Sequence, residues 1–287
     1  MLSPYLLNIW MFHRAEYPTL PRWGFYDKMQ ETTLCGGYDM VLEICVDSLA
    51  SARAAVWGGA DRLELCSALA VGGLTPYTAL LRQIRAESAV PIRCLMRPRA
   101  GDFLYTREEL DLICDQMEEL KDAGASGFVI GALTQDGDLD IPAMHKLLKV
   151  AGGLPVTLHR AIDVSRDLRH TYWQASELGI DTVLTSGGAA SCTAGEETIG
   201  ELLDMRESIH GPEVMIGAGV NAQVIRYFRG QYPAARAFHM SGKMELESGM
   251  RFRRTGVPMG LPGLDEWHIQ QTDITAVRSA RAVLDAL

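Results

Sequence analysis

The chain is predicted to fold as a (β/α)8 TIM barrel, and three observations carry that prediction. Eight short β-rich runs alternate with stretches of helical character from residue 40 onward in the 287-residue sequence. Many of the runs are almost wholly apolar, as expected of parallel strands covered on both faces. A helix-stopping glycine, a small residue and a new strand recur in Gly58-Gly59-Ala60-Asp61, Gly124-Ala125-Ser126-Gly127 and Gly179-Ile180-Asp181. The competing fold, a doubly wound dinucleotide sheet, would carry G-x-G-x-x-G after its first strand, where this chain has Val46-Asp47-Ser48.

The strands are expected at 40–45, 61–66, 91–97, 127–132, 155–160, 181–185, 213–217 and 236–241. A helix over 50–57 is ended by Gly58-Gly59. Thr75-Pro76 is read as opening the next, with proline at the first helical position. Thr106 and Glu109 form a capping box ahead of a long helix that Gly124 stops. Further helices fit 142–151, 168–178, 197–209, 221–229 and 273–286. These place a barrel domain at 40–287. Residues 1–39 carry no clear periodicity, and they read as an N-terminal extension, partly disordered. Their apolar beginning lacks the basic segment and small-residue cleavage site of a signal peptide.

A formal charge of −9 argues against nucleic acid or an anionic membrane as partner. No apolar run approaches the roughly 18 residues of a membrane span. The six cysteines are scattered without a C-x-x-C pair, which fits free thiols in a reducing cytoplasm better than a zinc module or a disulfide framework.

In a barrel of this kind the chemistry sits at the C-terminal strand ends. The first two strands end in matching patterns, Glu43-Ile44-Cys45 and Glu64-Leu65-Cys66. Because strand side chains alternate, glutamate and cysteine share a face in each. Unpaired, the two carboxylates would be costly to bury, and Arg97 on the third strand is their expected counter-ion. A buried Glu–Arg network that only braces the barrel is the structural reading. The functional one is an acid/base pair in which like charge raises one pKa. His159 and His239 end the fifth and eighth strands and are candidate general bases or metal ligands. Asp163 follows His159. Ser186-Gly187-Gly188, Gly217-Ala218-Gly219 and Ser241-Gly242 are glycine-rich turns suited either to tight βα connections or to anion binding through backbone N–H groups. Arg97, Asp163, Ser186, Gly187, Gly219 and Ser241 are therefore candidate substrate contacts. Thiols on neighbouring strands favour copper(I), although cysteine is also a common core residue.

Several strings resemble the CutC copper homeostasis family: Leu42-Glu43-Ile44-Cys45-Val46-Asp47-Ser48, Asp61-Arg62-Leu63-Glu64-Leu65-Cys66-Ser67 and Gly72-Gly73-Leu74-Thr75-Pro76. Arg97-Pro98-Arg99-Ala100-Gly101-Asp102-Phe103, Leu158-His159-Arg160-Ala161-Ile162-Asp163 and Leu184-Thr185-Ser186-Gly187 extend the resemblance. It runs from about Met40 to about Gly260. It departs from the family at Ala100-Gly101, where two glycines are usual, and at His239-Met240-Ser241-Gly242, commonly His-x-Ser-Ala. The resemblance implies a cytoplasmic barrel, a homo-oligomer, and copper(I) bound by Cys45 and Cys66. Two functions follow. One is copper handling through that cysteine pair. The other is an enzyme in which Glu43, Glu64, His159 and His239 do acid–base work on a small anionic or polyhydroxylated molecule.

Overall fold

Local signals set most element boundaries. Ser48 caps α1 (Leu49–Gly58) by accepting from the Ser51 N–H, and Gly59 ends it in the left-handed conformation. Thr106 and Glu109 form the expected capping box at α3 (Arg107–Asp122), a device worth about 1 kcal/mol. Asp140, Asn221 and Asp273 cap α4 (Ile141–Ala151), α7 (Ala222–Gln231) and α8 (Ile274–Asp285). The remaining helices are α2 (Thr78–Glu87), α5 (Leu168–Glu177) and α6 (Glu196–Ile209). These come from a computed structural model that describes residues 40–260, 263 and 265–286; the extension expected over 1–39 lies outside the described residues.

Eight parallel strands close into a barrel in chain order: β1 (Val41–Val46), β2 (Arg62–Leu65), β3 (Ile92–Leu95), β4 (Gly127–Ile130), β5 (Val156–Leu158), β6 (Thr182–Thr185), β7 (Glu213–Ile216) and β8 (Ala237–Met240). Two features differ from expectation. Pro76 does not open α2, which begins at Thr78 with Tyr77 as its cap. Thr75 is tied to the end of β3, its N–H donating to the Arg97 carbonyl and its hydroxyl accepting from the Arg97 N–H, and proline favours an extended residue before it. Second, an antiparallel hairpin, β9 (Lys243–Glu247) with β10 (His268–Thr272), precedes α8. Among the described residues no helix is long and apolar enough to cross a membrane.

The two faces of the barrel differ in chemistry. Outward residues such as Leu42, Ile44, Leu63, Leu65, Phe128 and Phe238 join the helices in one continuous core. Each such side chain contributes about 1.5–3 kcal/mol by burial. Barrel interiors are usually filled with branched aliphatics. Among the described residues the inward apolar side chains form two small groups, one around Cys45, Cys66, Leu95 and Val129, the other around Leu184, Met215 and Ala237. Charged and hydroxyl groups occupy much of the rest. Arg93 donates through Nη1 to the hydroxyls of Thr157 (2.5 Å) and Thr182 (3.1 Å), linking β3, β5 and β6 across the lumen. Buried polar groups are tolerated only when partnered, so this arrangement fixes strand positions beneath the mouth.

Candidate active site

Strand register decides what the two Glu-x-Cys endings build. β1 pairs with β2 so that Glu43 lies level with Arg62 and Cys45 with Glu64. On its other side β1 places Glu43 level with His239 of β8. The two glutamates are therefore a pleat apart in height. Glu43 is fully buried beneath the cavity, accepting from Arg62 Nε at 2.5 Å and facing His239 Nδ1 at 2.8 Å. Glu64 stands above it, with Oε2 3.7 Å from His239 Nε2.

The expected counter-ion was Arg97; the observed one is Arg62. The guanidinium of Arg97 is turned instead toward the backbone, donating to the carbonyls of Val71, Gly73 and Gly101. Arg62 carries the same strand parity as Glu64, so the alternation that found the glutamate also reached its neighbour's partner. It was missed because charged residues at a strand's start usually point to solvent.

The electrostatics follow from these contacts. Burial alone would raise the Glu43 carboxyl, but Arg62 and His239 outweigh it and hold the group well below the usual carboxylate range. Burial pushes the Glu64 carboxyl up to about 7, with Glu43 adding to the rise and His239 opposing it. The sequence argument that one of two neighbouring carboxyls should have a raised pKa thus finds its counterpart in Glu64, although desolvation exceeds like-charge repulsion as the cause. Burial would lower His239; Cys45, Glu64 and Glu43 around it more than compensate, so its imidazolium is favoured well above the usual pH.

Above this floor opens a cavity of about 510 Å³. Glu64, His239, Cys45, His159, Arg97 and Asp163 all reach its lining, as do Gly219 and Ser241. Sequence reasoning passed over Lys243 and Arg160, which also line it. His159 lies on a different wall, against Phe103 at 4.8 Å between ring centres. Burial and the Arg97 charge depress its pKa to about 3, so it is neutral. Its Nδ1 accepts from the Ala161 N–H, which leaves the proton on Nε2.

Among the described residues, one group has the composition and spacing to hold a metal ion: Cys45 Sγ, a Glu64 oxygen and a His239 nitrogen, all within 4.8 Å of one another. Neither His159 nor Cys66 belongs to it. Cys66 sits one pleat higher than the residue level with Cys45, its thiol directed at the Val46 carbonyl (3.4 Å), and burial pushes that thiol well above its ordinary pKa. Cys94 faces the outer core, as strand alternation required.

The turn after β6 does not offer the anion cradle considered for it. Asp163 already takes the N–H groups of Ser186 and Gly188, and the Gly187 N–H goes to Thr185 Oγ1. Gly187 has φ +72°, and a Cβ there would lie 2.2 Å from the Gly195 carbonyl oxygen, so glycine is needed for the turn itself. Ser186 and Gly187 are absent from the cavity lining.

The CutC family model matches residues 40–243 of this sequence, most of the barrel. The chain belongs to the CutC family. A CutC family protein from Chromobacterium violaceum is 39% identical over 248 residues, covering 86% of this chain and 99% of that protein. A solved structure from Streptococcus agalactiae, provisionally named a copper homeostasis protein CutC, superposes with a TM-score of 0.66 at 26% identity, covering 70% of this chain and 98% of that one. The 3-hexulose-6-phosphate synthase of Salmonella typhimurium shares the barrel fold alone, with a TM-score of 0.51 at 15% identity, covering 86% and 99%. In this CutC-family chain nearly all of the hairpin and α8 lie past the matched residues, whereas Glu43, Cys45, Glu64, Cys66, Arg97, His159 and His239 lie within them.

Proposed function

We propose that the cavity floor is an acid–base site acting on a small polar molecule, with Glu64 exchanging the proton. The observation that carries this reading is a carboxyl poised near neutrality, pKa about 7, at the bottom of a cavity of about 510 Å³. That volume suits a metabolite-sized ligand, and a pKa near the working pH suits a general acid or base. His239 stabilises negative charge developing beside Glu64. Glu43 and Arg62 beneath it are positioning residues, because the Nδ1 contact to Glu43 leaves Nε2 facing Glu64. On this reading the protein works in the reducing cytoplasm, where its thiols stay free. The test is to incubate the purified chain with a small-molecule extract and follow depletion by mass spectrometry. Wild type should consume a compound that Glu64→Gln leaves intact; consumption at equal rates by both would remove Glu64 from the mechanism.

Copper(I) is the second reading. A thiol and an imidazole nitrogen are donors suited to it, and Cys45 with His239 supply both within 4.8 Å. The name carried by the Streptococcus relative points the same way. The site's composition favours Cys45 with His239 over the cysteine pair. Anaerobic copper(I) titration against a competing chelator separates the two: Cys45→Ser should abolish tight binding while Cys66→Ser preserves it. Equal loss in both variants restores the cysteine pair.

A further inference from the structure

Arg97 is a buried cation without a carboxylate partner among the described residues. It is nine-tenths buried, lines the cavity, and among the described residues forms no ion pair. Its Nη atoms are engaged by three carbonyl oxygens, which hold it in place but do not neutralise it. Its Nε, also buried, has no hydrogen-bond partner among the described residues. Phe103 packs against the same guanidinium, 5.4 Å from ring centre to Cζ. Phe103 also packs against His159, 96% buried, whose protonated Nε2 is likewise without an acceptor among the described residues. A buried donor with no partner costs about 1–3 kcal/mol, and a buried charge more. Two such donors on one cavity wall describe a place where an acceptor belongs.

We infer that this wall receives an anionic oxygen group of a small molecule, a carboxylate or a phosphate, between Arg97 Nε and His159 Nε2. The inference rests on the cavity being a ligand site, and it names the ligand's class: an organic acid or phosphate ester whose uncharged remainder reaches Glu64. Other features of the lining agree. Lys243 reaches it with no acceptor of its own among the described residues. Ala218 and Gly219, both in left-handed backbone (φ +70° and +88°), add main chain to the same lining. Asp163, the other acid at the lining, is consumed by its own donors. A neutral His159 is a donor that does not compete with Arg97 for charge.

The test uses the full chain with two probes, inorganic phosphate and succinate, titrated calorimetrically against a background of sodium chloride held at constant ionic strength. One or both should bind, and the tighter of the two tells phosphate from carboxylate. His159→Leu, which keeps the contact with Phe103, should weaken the tighter probe at least about tenfold, the loss expected for a hydrogen bond to a charged group. His159→Gln, which retains an N–H donor, should lose less. Should His159→Leu not fold, wild type labelled with [15N]histidine gives the answer: the probe must shift the His159 Nε2 resonance. No binding of either probe above chloride, or binding that neither variant nor resonance detects, overturns the inference. A chain that binds the anion but depletes no metabolite keeps this assignment and loses the acid–base reading, so the two failures are distinguishable.

Discussion

Asp163 and Glu64 both line the cavity and are nearly buried, yet they are held in opposite ways. The two oxygens of Asp163 accept from Arg160 Nε, the Thr185 and Ser186 hydroxyls and the N–H groups of Ser186 and Gly188. Among the described residues Glu64 accepts no hydrogen bond, and its nearest cationic atom is His239 Nε2 at 3.7 Å. The same division separates the arginines: Arg62 is ion-paired to Glu43, whereas Arg97 has only carbonyls. Saturated groups staple strand ends together. Unsaturated ones keep capacity for a ligand, at a cost in stability that burial of the outer face offsets.

Substitutions sharpen this contrast in decreasing order of effect. Glu43→Ala should cost the most, about 3–5 kcal/mol in urea denaturation, because Arg62 would remain buried without its carboxylate. Asp163→Ala should cost about 3 kcal/mol, since it orphans the donors of the β6 turn while half-exposed Arg160 regains water. Glu64→Gln should change stability by under about 1 kcal/mol at pH 4, where the native carboxyl is already protonated. If Glu64→Gln proved as damaging as Asp163→Ala, the distinction between saturated and available carboxylates would collapse.

The pH dependence gives a finer version of the comparison. Glu64 has a raised native pKa, so from the unfolded value of 4.5 up to about 7 the unfolded chain releases a proton that the native state keeps. Its contribution is present below that range and is lost as pH rises through it. His239, also raised, adds a loss of the same sign above pH 6.5. His159 acts oppositely: its native pKa of about 3 means stability is lost as pH falls from 6.5 toward 3. Between pH 4.5 and 6.5, where both act, Glu64→Gln should therefore make the slope of stability against pH more positive than in wild type, and His159→Gln more negative. Slope changes of the same sign would assign the wrong protonation state to one of them.

Alternation along single strands made Glu43 with Cys45, and Glu64 with Cys66, legible as sharing a face, His239 was legible as a strand-end residue, and the Gly58-Gly59 stop and the Thr106 capping box made element boundaries legible too. The partners were not. Whether Glu64 meets Glu43 or Cys45 depends on the stagger between β1 and β2, which no local pattern encodes. Arg97 looked like the glutamates' counter-ion because it ends the next strand in sequence. Only the loops that carry Val71, Gly73 and Gly101 decide that its fork is taken by carbonyls. The serine and glycines of the β6 turn carried the composition of an anion site, but Asp163, more than twenty residues earlier, fills it.

By itself the sequence determined the barrel, its order of elements and the faces on which its chemical groups lie, because periodicity and capping act within a few residues. Tertiary structure decided which of those groups are spent and which are free. Saturation of a buried donor or acceptor is a property of distances between strands, set when the barrel closes, and it is that closure which leaves Glu64, His159 and Arg97 facing one cavity with capacity unused.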